Sequence, residues 1–170
     1  MADTTGRRLT EAHYAAIGRV ITSWSAVEYV LRMMAYALTA NQPIDEGDDR
    51  TAAIVFEGMQ VRTLVGVLQT LVQMRFPADE KGIKKFGERI LKAKKQRDIF
   101  GHSLFDSGNE LGTVRPLIVK TVGGLKGARG DFSVDGINMW AKENSELAAL
   151  LLTILVRWGY FTIPDELPPD

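Results

Sequence analysis

The stretch Lys94-Lys95-Gln96-Arg97-Asp98-Ile99-Phe100-Gly101-His102-Ser103-Leu104-Phe105 decides how the rest of the chain is read. Backwards from Arg97 the apolar positions are Ala93, Ile90, Phe86 and Ile83, three and four residues apart, which is one face of an α-helix. Arg97 falls on that same stripe, seven residues after Ile90 and fourteen after Ile83. Lys81, Lys84, Lys85, Lys92 and Lys95 share the opposite face. An arginine aimed at a core needs a buried partner or a job, because an unpaired buried charge is expensive.

Working outward, the N-terminal side supplies a matching charge. Thr10-Glu11 reads as an N-cap and first turn. Ile17, Val20, Ile21, Trp24, Val27, Leu31, Met34, Ala35 and Leu38 then form one stripe, and the helix should end near Thr39 or Ala40, before Asn41-Gln42-Pro43. Glu28 interrupts that stripe, so Glu28 and Arg97 are expected within ion-pair distance. The acidic run Asp45-Glu46-Gly47-Asp48-Asp49 lacks the alternate spacing and later Glu of an EF-hand. It reads as a solvated loop that places negative charge at the next helix N-terminus. That helix covers roughly Arg50 to Phe76, with Gly58 as a break and Pro77 as its end. The third long helix starts near Asp79 or Glu80 and runs towards Gly101. From Glu80 to Arg97 it carries eight basic residues against two acidic ones. That excess reads either as a solvated face suited to the helix dipole or as an RNA-attracting one.

Beyond His102 the period changes. Ser107-Gly108-Asn109 is turn chemistry, Val114, Leu117, Ile118, Val119 and Val122 are β-formers, and Phe132-Ser133-Val134 can pair back on them. Pro116 marks an edge strand or a strand start. Gly123 to Gly130 reads as a flexible hairpin tip, or as a basic flap reaching RNA through Lys126 and Arg129; it lacks the Lys-Ser/Thr ending of a P-loop. A last helix starts around Asp135 to Asn138 and ends near Tyr160 or Phe161, and Pro164, Pro168 and Pro169 keep the tail non-helical. The expected architecture is mainly α, with about four long helices and a β-hairpin between the third and fourth. It divides into a polar tail (1–9), a single domain (10–161) and a Pro-rich tail (162–170).

Composition narrows the function. A chain of 170 residues with 45% apolar and 25% charged residues is an ordinary globular domain. A formal net charge of zero argues against a generic polyanion binder, leaving only local basic patches. Without cysteine there are no disulfides or thiolate metal sites, which fits a reducing cytoplasm. Two separated histidines leave no recognisable metal-ligand set, and no cofactor motif is present. The longest apolar run, Leu147 to Val156, is too short to span a bilayer. His13 reads as a surface or half-buried side chain near a helix start, and Trp24, Trp140 and Trp158 as packing.

Arg97-Asp98-Ile99-Phe100-Gly101-His102, an arginine and a histidine with four residues between them at a helix end, resembles the Arg-x(4–6)-His motif of the HEPN superfamily (higher eukaryotes and prokaryotes nucleotide-binding). Trp24-Ser25-Ala26-Val27-Glu28 is similar to the first-helix segment of many such proteins, where an aromatic precedes an inward glutamate. The order of helices, hairpin and final amphipathic helix also resembles the family over roughly residues 10–161. In two places the chain departs from the pattern. Asp98 stands where asparagine is commoner, and Ser103 where a glycine often follows the histidine. The resemblance implies an HEPN-like helical bundle, a homodimer and a metal-independent endoribonuclease. Arg97 and His102 would be catalytic, with Glu28 and Asp98 supporting; Lys94 and Lys95 on the basic helix face and Lys126 and Arg129 on the hairpin flap are candidate RNA contacts by their charge. It also implies a setting in toxin–antitoxin pairs, phage defence or RNA processing, with an antitoxin or nucleotidyltransferase as partner.

The chemistry is consistent with those residue types. Attack by an RNA 2′-hydroxyl needs a base, an acid for the leaving oxygen, and cations for the charged transition state. Imidazole titrates near neutrality, and guanidinium offers forked donors to phosphate. One chain supplies one such histidine, whereas a two-fold dimer facing two motifs across apolar surface around Ile99 and Phe100 would supply two. The competing readings are a non-catalytic HEPN-like module that binds nucleotide or RNA, and a structural dimer recognising another protein. In a purely structural role Arg97 would pair with Glu28 and His102 would cap its helix through the last carbonyls.

Overall fold

The periodicities are realised as five α-helices in the computed structural model, which describes residues 9–41, 43–44, 50–120, 124–127 and 130–162. In chain order these are α1 (Glu11–Ala40), α2 (Arg50–Glu57), α3 (Val61–Arg75), α4 (Glu80–His102) and α5 (Val134–Arg157). Strands β1 (Leu104–Ser107), β2 (Thr113–Lys120), β3 (Gly124–Gly127) and β4 (Phe132–Ser133) lie between α4 and α5. The fold is therefore mainly helical with a small antiparallel sheet. Among the described residues no helix is long and apolar enough to cross a membrane. The acidic run 45–49, Arg129 and most of both expected tails lie outside the described residues.

Helix ends follow local chemistry. Asn41 takes φ 58° and donates its N–H to the Ala37 carbonyl at 2.9 Å, a left-handed cap that stops α1 where the stripe ends. The second helical segment does break near Gly58: α2 stops at Glu57, and extended Gln60 leads into α3. The last helix stops at Arg157, three residues earlier than its apolar pattern suggests. Gly159, at φ 76°, donates to Val156 O and Tyr160 N–H donates to Leu155 O, which is a Schellman ending.

Two sets of residues each form a compact unit, Met1–Ala26 with Lys92–Glu146, and Val27–Leu91 with Leu147–Asp170. In the first, Ala16, Ile17 and Val20 of α1 are buried with Phe100, Val114, Ile137 and Ala141. Phe100 is the hub of an aromatic group, with ring centroids 5.1 Å from Trp140, 5.6 Å from Phe132 and 5.9 Å from Phe105. Phe100 was expected to contribute apolar surface, yet it is only 3% exposed because these three rings enclose it.

β2 is the central strand of this unit. β1 pairs along one side, from Leu104 opposite Leu117 to Ser107 opposite Val114. On the other side β4 pairs at Thr113 and Val114, and β3 pairs from Leu117 to Lys120. Pro116 thus sits inside a central strand, not on an edge or at a start. On the β3–β4 side the described register covers residues 113–114 and 117–120. β3 itself forms within the glycine-rich stretch expected to be a flexible tip. Its ladder needs only backbone groups, so weak side-chain propensity did not forbid it.

His13 corrects another expectation. It is 2% exposed and bonded at both ring nitrogens. The Thr10 hydroxyl lies 2.8 Å and the Thr10 N–H 3.3 Å from Nδ1. A backbone N–H can only donate, so Nδ1 accepts and Nε2–H donates to Gly112 O at 3.1 Å. His13 thus reaches back to the N-cap N–H as the Glu or Gln of a capping box does, and it also ties α1 to the β1–β2 turn. In that turn the Asp131 carboxylate accepts from Arg115 Nε at 2.8 Å and from the Asn109 N–H. A Cβ on Gly108 would lie 2.0 Å from Thr113 Oγ1, so only glycine fits the turn.

In the second unit, α3 and α4 approach closely at Gly87. A Cβ there would stand 2.9 Å from Val65 Cγ1 and 2.6 Å from Gln69 Nε2. Nearby, Asp79 accepts from Arg157 Nη2 at 3.0 Å and from Trp158 Nε1 at 3.0 Å, and Trp158 stacks on Phe76 at 4.6 Å. Trp158 therefore packs just beyond the end of α5.

Two outcomes are expected. Gly87→Ala should destabilise by about 1–2 kcal/mol, since overpacking against Val65 outweighs the helix-propensity gain. Gly82→Ala, with nothing within 4 Å of its Cβ, should instead be neutral or stabilise by up to about 1 kcal/mol. Urea unfolding of both variants checks the contrast. Secondly, the hydrogen bond from Arg115, and then that from Asn109, holds the Asp131 carboxyl below its ordinary value of 3.8. A depressed folded value adds stability above the unfolded value, and that stability is lost as pH falls through the folded one. Asp131→Asn should therefore be less stable than wild type near neutrality, and the difference should shrink in urea melts taken at progressively lower pH.

Candidate active site at the end of α4

Helix α4 places the motif by its amphipathic register. Ile83, Ile90 and Ala93 are buried on one side, and Lys81, Lys84, Lys85, Lys92 and Lys95 are exposed on the other. Arg97 follows the buried stripe, but its side chain keeps 30% of its surface in solvent. Its Nε is buried without a hydrogen-bond partner among the described residues, while the head of the guanidinium reaches outward.

Arg97 Nη1 makes two contacts, donating to Asp98 Oδ1 at 3.2 Å and to His102 Nε2 at 3.4 Å. The other Asp98 oxygen accepts from Lys94 Nζ, one helical turn back. Lys94, Asp98, Arg97 and His102 thus form a chain of polar contacts. Asp98 is a carboxylate partner of Arg97, whereas Glu28, the expected one, is half-buried on the part of α1 that belongs to the other unit. The physical reason is local: Asp98 is the next residue, and the outward guanidinium reaches it at little entropic cost.

His102 is the last residue of α4 and is exposed. Its hydrogen bond runs to Arg97, not to a helix carbonyl, so helix capping does not account for it. A guanidinium has no acceptor, so in this contact Arg97 donates and Nε2 accepts. The contact is long and weak, and it leaves the Nε2 lone pair facing the guanidinium at the surface. A phosphate placed there would meet a forked cation and a base side by side. Phe100 fixes this turn from beneath, while Leu104, 60% exposed, follows directly at the start of β1.

The remaining predicted residues fall as follows. Lys95 is exposed on α4, on the helix face of His102. Lys126 lies in β3 opposite Ile118, and its side chain lies outside the description, as does the whole of Arg129. Among the described residues no group of three or more His, Asp or Glu side chains is placed to hold a metal ion. Sequence reasoning missed that Asp98 binds both neighbouring cations. The signal was available in the spacing, since Lys94 and Asp98 are four apart on one helix.

No protein-family model matches this chain, and no curated protein or solved structure matches it either.

Proposed function

We propose that this protein is a metal-independent endoribonuclease of the HEPN type, acting as a homodimer in the cytoplasm. The observation that carries the reading is the Arg97–His102 contact at an exposed helix end, with the histidine's accepting nitrogen turned to the guanidinium. In the proposed reaction His102 Nε2 takes the proton of a ribose 2′-hydroxyl. The 2′-oxygen bonds to the adjacent phosphorus and the bond to the 5′-oxygen breaks. That leaving oxygen takes a proton from the imidazolium of the second protomer's motif. Products are a 2′,3′-cyclic phosphate and a 5′-hydroxyl end. Arg97 holds the non-bridging phosphate oxygens as charge develops on them. The exposed apolar side chain of Leu104 beside His102 supports burial of this edge in a dimer, with Ile99 half-buried nearby. Toxin–antitoxin, phage-defence and RNA-processing roles all fit this chemistry, and so does an antitoxin or nucleotidyltransferase partner.

A second reading is favoured by one observation. Asp98 occupies both Lys94 and Arg97, as it would in an HEPN-like module that binds nucleotide or RNA without cutting it.

The test is cleavage of a mixed RNA pool in EDTA with melting temperatures alongside. His102→Ala should keep its melting temperature, because the side chain is exposed, and lose about 10²–10⁴ in rate. Arg97→Lys keeps the charge, loses the fork, and should also cut slowly. Equal background cleavage by wild type and His102→Ala would sink the ribonuclease reading and leave the binding module. Sedimentation equilibrium should show a dimer at micromolar concentration; a monomer would remove the second histidine.

A further inference from the structure

A pocket of about 260 Å³ opens between the start of α4 and the end of α5, wholly within the second unit. Ile83 and Phe86 of α4 and Leu150 and Ile154 of α5 form its apolar walls. Gly82 and Thr153 complete the lining with little bulk. A Cβ on Gly82 would meet nothing within 4 Å, so no packing contact demands glycine there, whereas Val65 does demand it at Gly87. Glycine inside a helix weakens it relative to alanine, and at position 82 what it leaves is open space in the pocket.

The polar groups gather at one end. Asp79 accepts from Arg157 Nη2 through both carboxylate oxygens, at 3.0 and 3.3 Å, and from Trp158 Nε1 at 3.0 Å. The Thr153 hydroxyl donates to Ala149 O at 2.9 Å. Arg157 makes no other hydrogen bond among the described residues, and its side chain keeps 69% of its surface in solvent. A second guanidinium, that of Arg89, lies 5.7 Å from the centroid of the Phe86 ring. The charged residues one turn to either side of Arg89 are Lys85 and Lys92, and Arg89 makes no ion pair among the described residues. Glu80, in the first turn of α4, is taken by Lys84.

We propose that this pocket binds a small aromatic carboxylate, an acid of one or two rings. The rings lie against Phe86, Trp158 and the aliphatic walls, and the carboxylate takes N–H groups of Arg157 that Asp79 leaves free. Size, lining and charge each point there. Ligand sites usually run to about 300–1,000 Å³, so this one suits a molecule at the small end. Two aromatic side chains among its walls favour a flat apolar body. The indole is already fixed in plane, because Phe76 stacks on it at 4.6 Å and 1°. The spare hydrogen-bonding capacity at the rim is that of a guanidinium, whose planar fork matches a carboxylate. Two guanidiniums against the single carboxylate of Asp79 leave a place for one negative charge, and an amine would meet both cations. The site stands apart from the ribonuclease reading, since none of its residues belongs to the Arg97–His102 group.

The test titrates cinnamate into the isotope-labelled full chain and follows its N–H signals by NMR, with cinnamamide as the uncharged counterpart. Cinnamate should shift the signals of Gly82, Thr153 and the Trp158 indole, and saturate with a dissociation constant of about 1 mM or tighter, as a ligand of this size allows. The amide should bind about tenfold more weakly, the usual loss of a charge-assisted hydrogen bond, and Arg157→Gln should weaken cinnamate by a similar factor. Gly82→Leu places a side chain in the pocket from an exposed helix position, and should abolish saturable binding while melting no lower than wild type. Gly66→Leu, at an exposed glycine of α3 that also has nothing within 4 Å of its Cβ, should leave binding unchanged. No saturable shift in the wild type overturns the site, and so does wild-type affinity in Gly82→Leu. Equal affinity for acid and amide overturns the carboxylate assignment. Shifts at Gly82 and Thr153 that grow with protein concentration, without any probe, assign the pocket to a second copy of the chain and overturn the acid.

Discussion

The candidate site depends on the burial of Phe100. That ring sits between Arg97 and His102 in sequence and is enclosed by Phe105, Phe132 and Trp140. These come from β1, β4 and α5, so one side chain fixes the last turn of α4 against three other elements. With Phe100 turned inward, residues 101 and 102 are rotated to the outside, and both are exposed. Arg97, one turn earlier, is left at the boundary, with its stem inside and its head at the surface. The polar chain from Lys94 to His102 thus follows from packing: the aromatic group holds the helix end, and the helix end presents the charges. Pairs of aromatic rings at these separations contribute about 0.5–1.5 kcal/mol beyond their buried area, ample to hold one terminal turn in register.

Much of this was legible because helical periodicity is strong here. The stripes of α1, α3 and α4 predicted buried positions from Ile17 to Ile90, and the break near Gly58 and the end at Pro77 announced themselves through residue type. The motif was legible as residues brought together, since Arg97, Asp98 and His102 are close in sequence and a helix end keeps them close in space. Long-range partners were not. Nothing near His13 foretold a carbonyl ninety-nine residues away, and a histidine near a helix start reads as surface unless that acceptor is known. β3 was missed for a related reason, because a glycine-rich stretch becomes a strand only when a neighbouring strand offers its backbone groups.

Arg97 shows how a sound premise can overlook a local partner. A charge on a buried stripe does need compensation, and Glu28 was the only carboxylate on the facing pattern of the first helix. The premise assumed that the whole side chain follows its Cβ inward. Arginine can instead bury its methylenes and return its charged head to water, where the adjacent Asp98 accepts from it. The half-buried state of Glu28 is compatible with the same economy. Asp79 makes the complementary point. It was read as a charge at a helix start, and it gathers Arg157 and Trp158 instead, because a carboxylate has more acceptor sites than one helix terminus uses.

Asp98 bears directly on whether such a site can serve a phosphate. With Lys94 and Arg97 it leaves a local charge of plus one, so its carboxylate stands where a phosphate would draw on the same donors. How much that matters depends on exposure. The Arg97 and Asp98 side chains keep 30% and 33% of their surface in solvent, and Lys94 keeps 36%. Pairs so open to water are worth about 0–1 kcal/mol, because screening removes most of the Coulomb attraction and the side chains lose entropy in pairing. A backbone phosphodiester carries one negative charge, as a carboxylate does, but it can take two guanidinium N–H groups at once, where Asp98 takes a single one. On these magnitudes Asp98 engages Arg97 without locking it, and a phosphodiester taking two N–H groups competes with one solvent-screened contact.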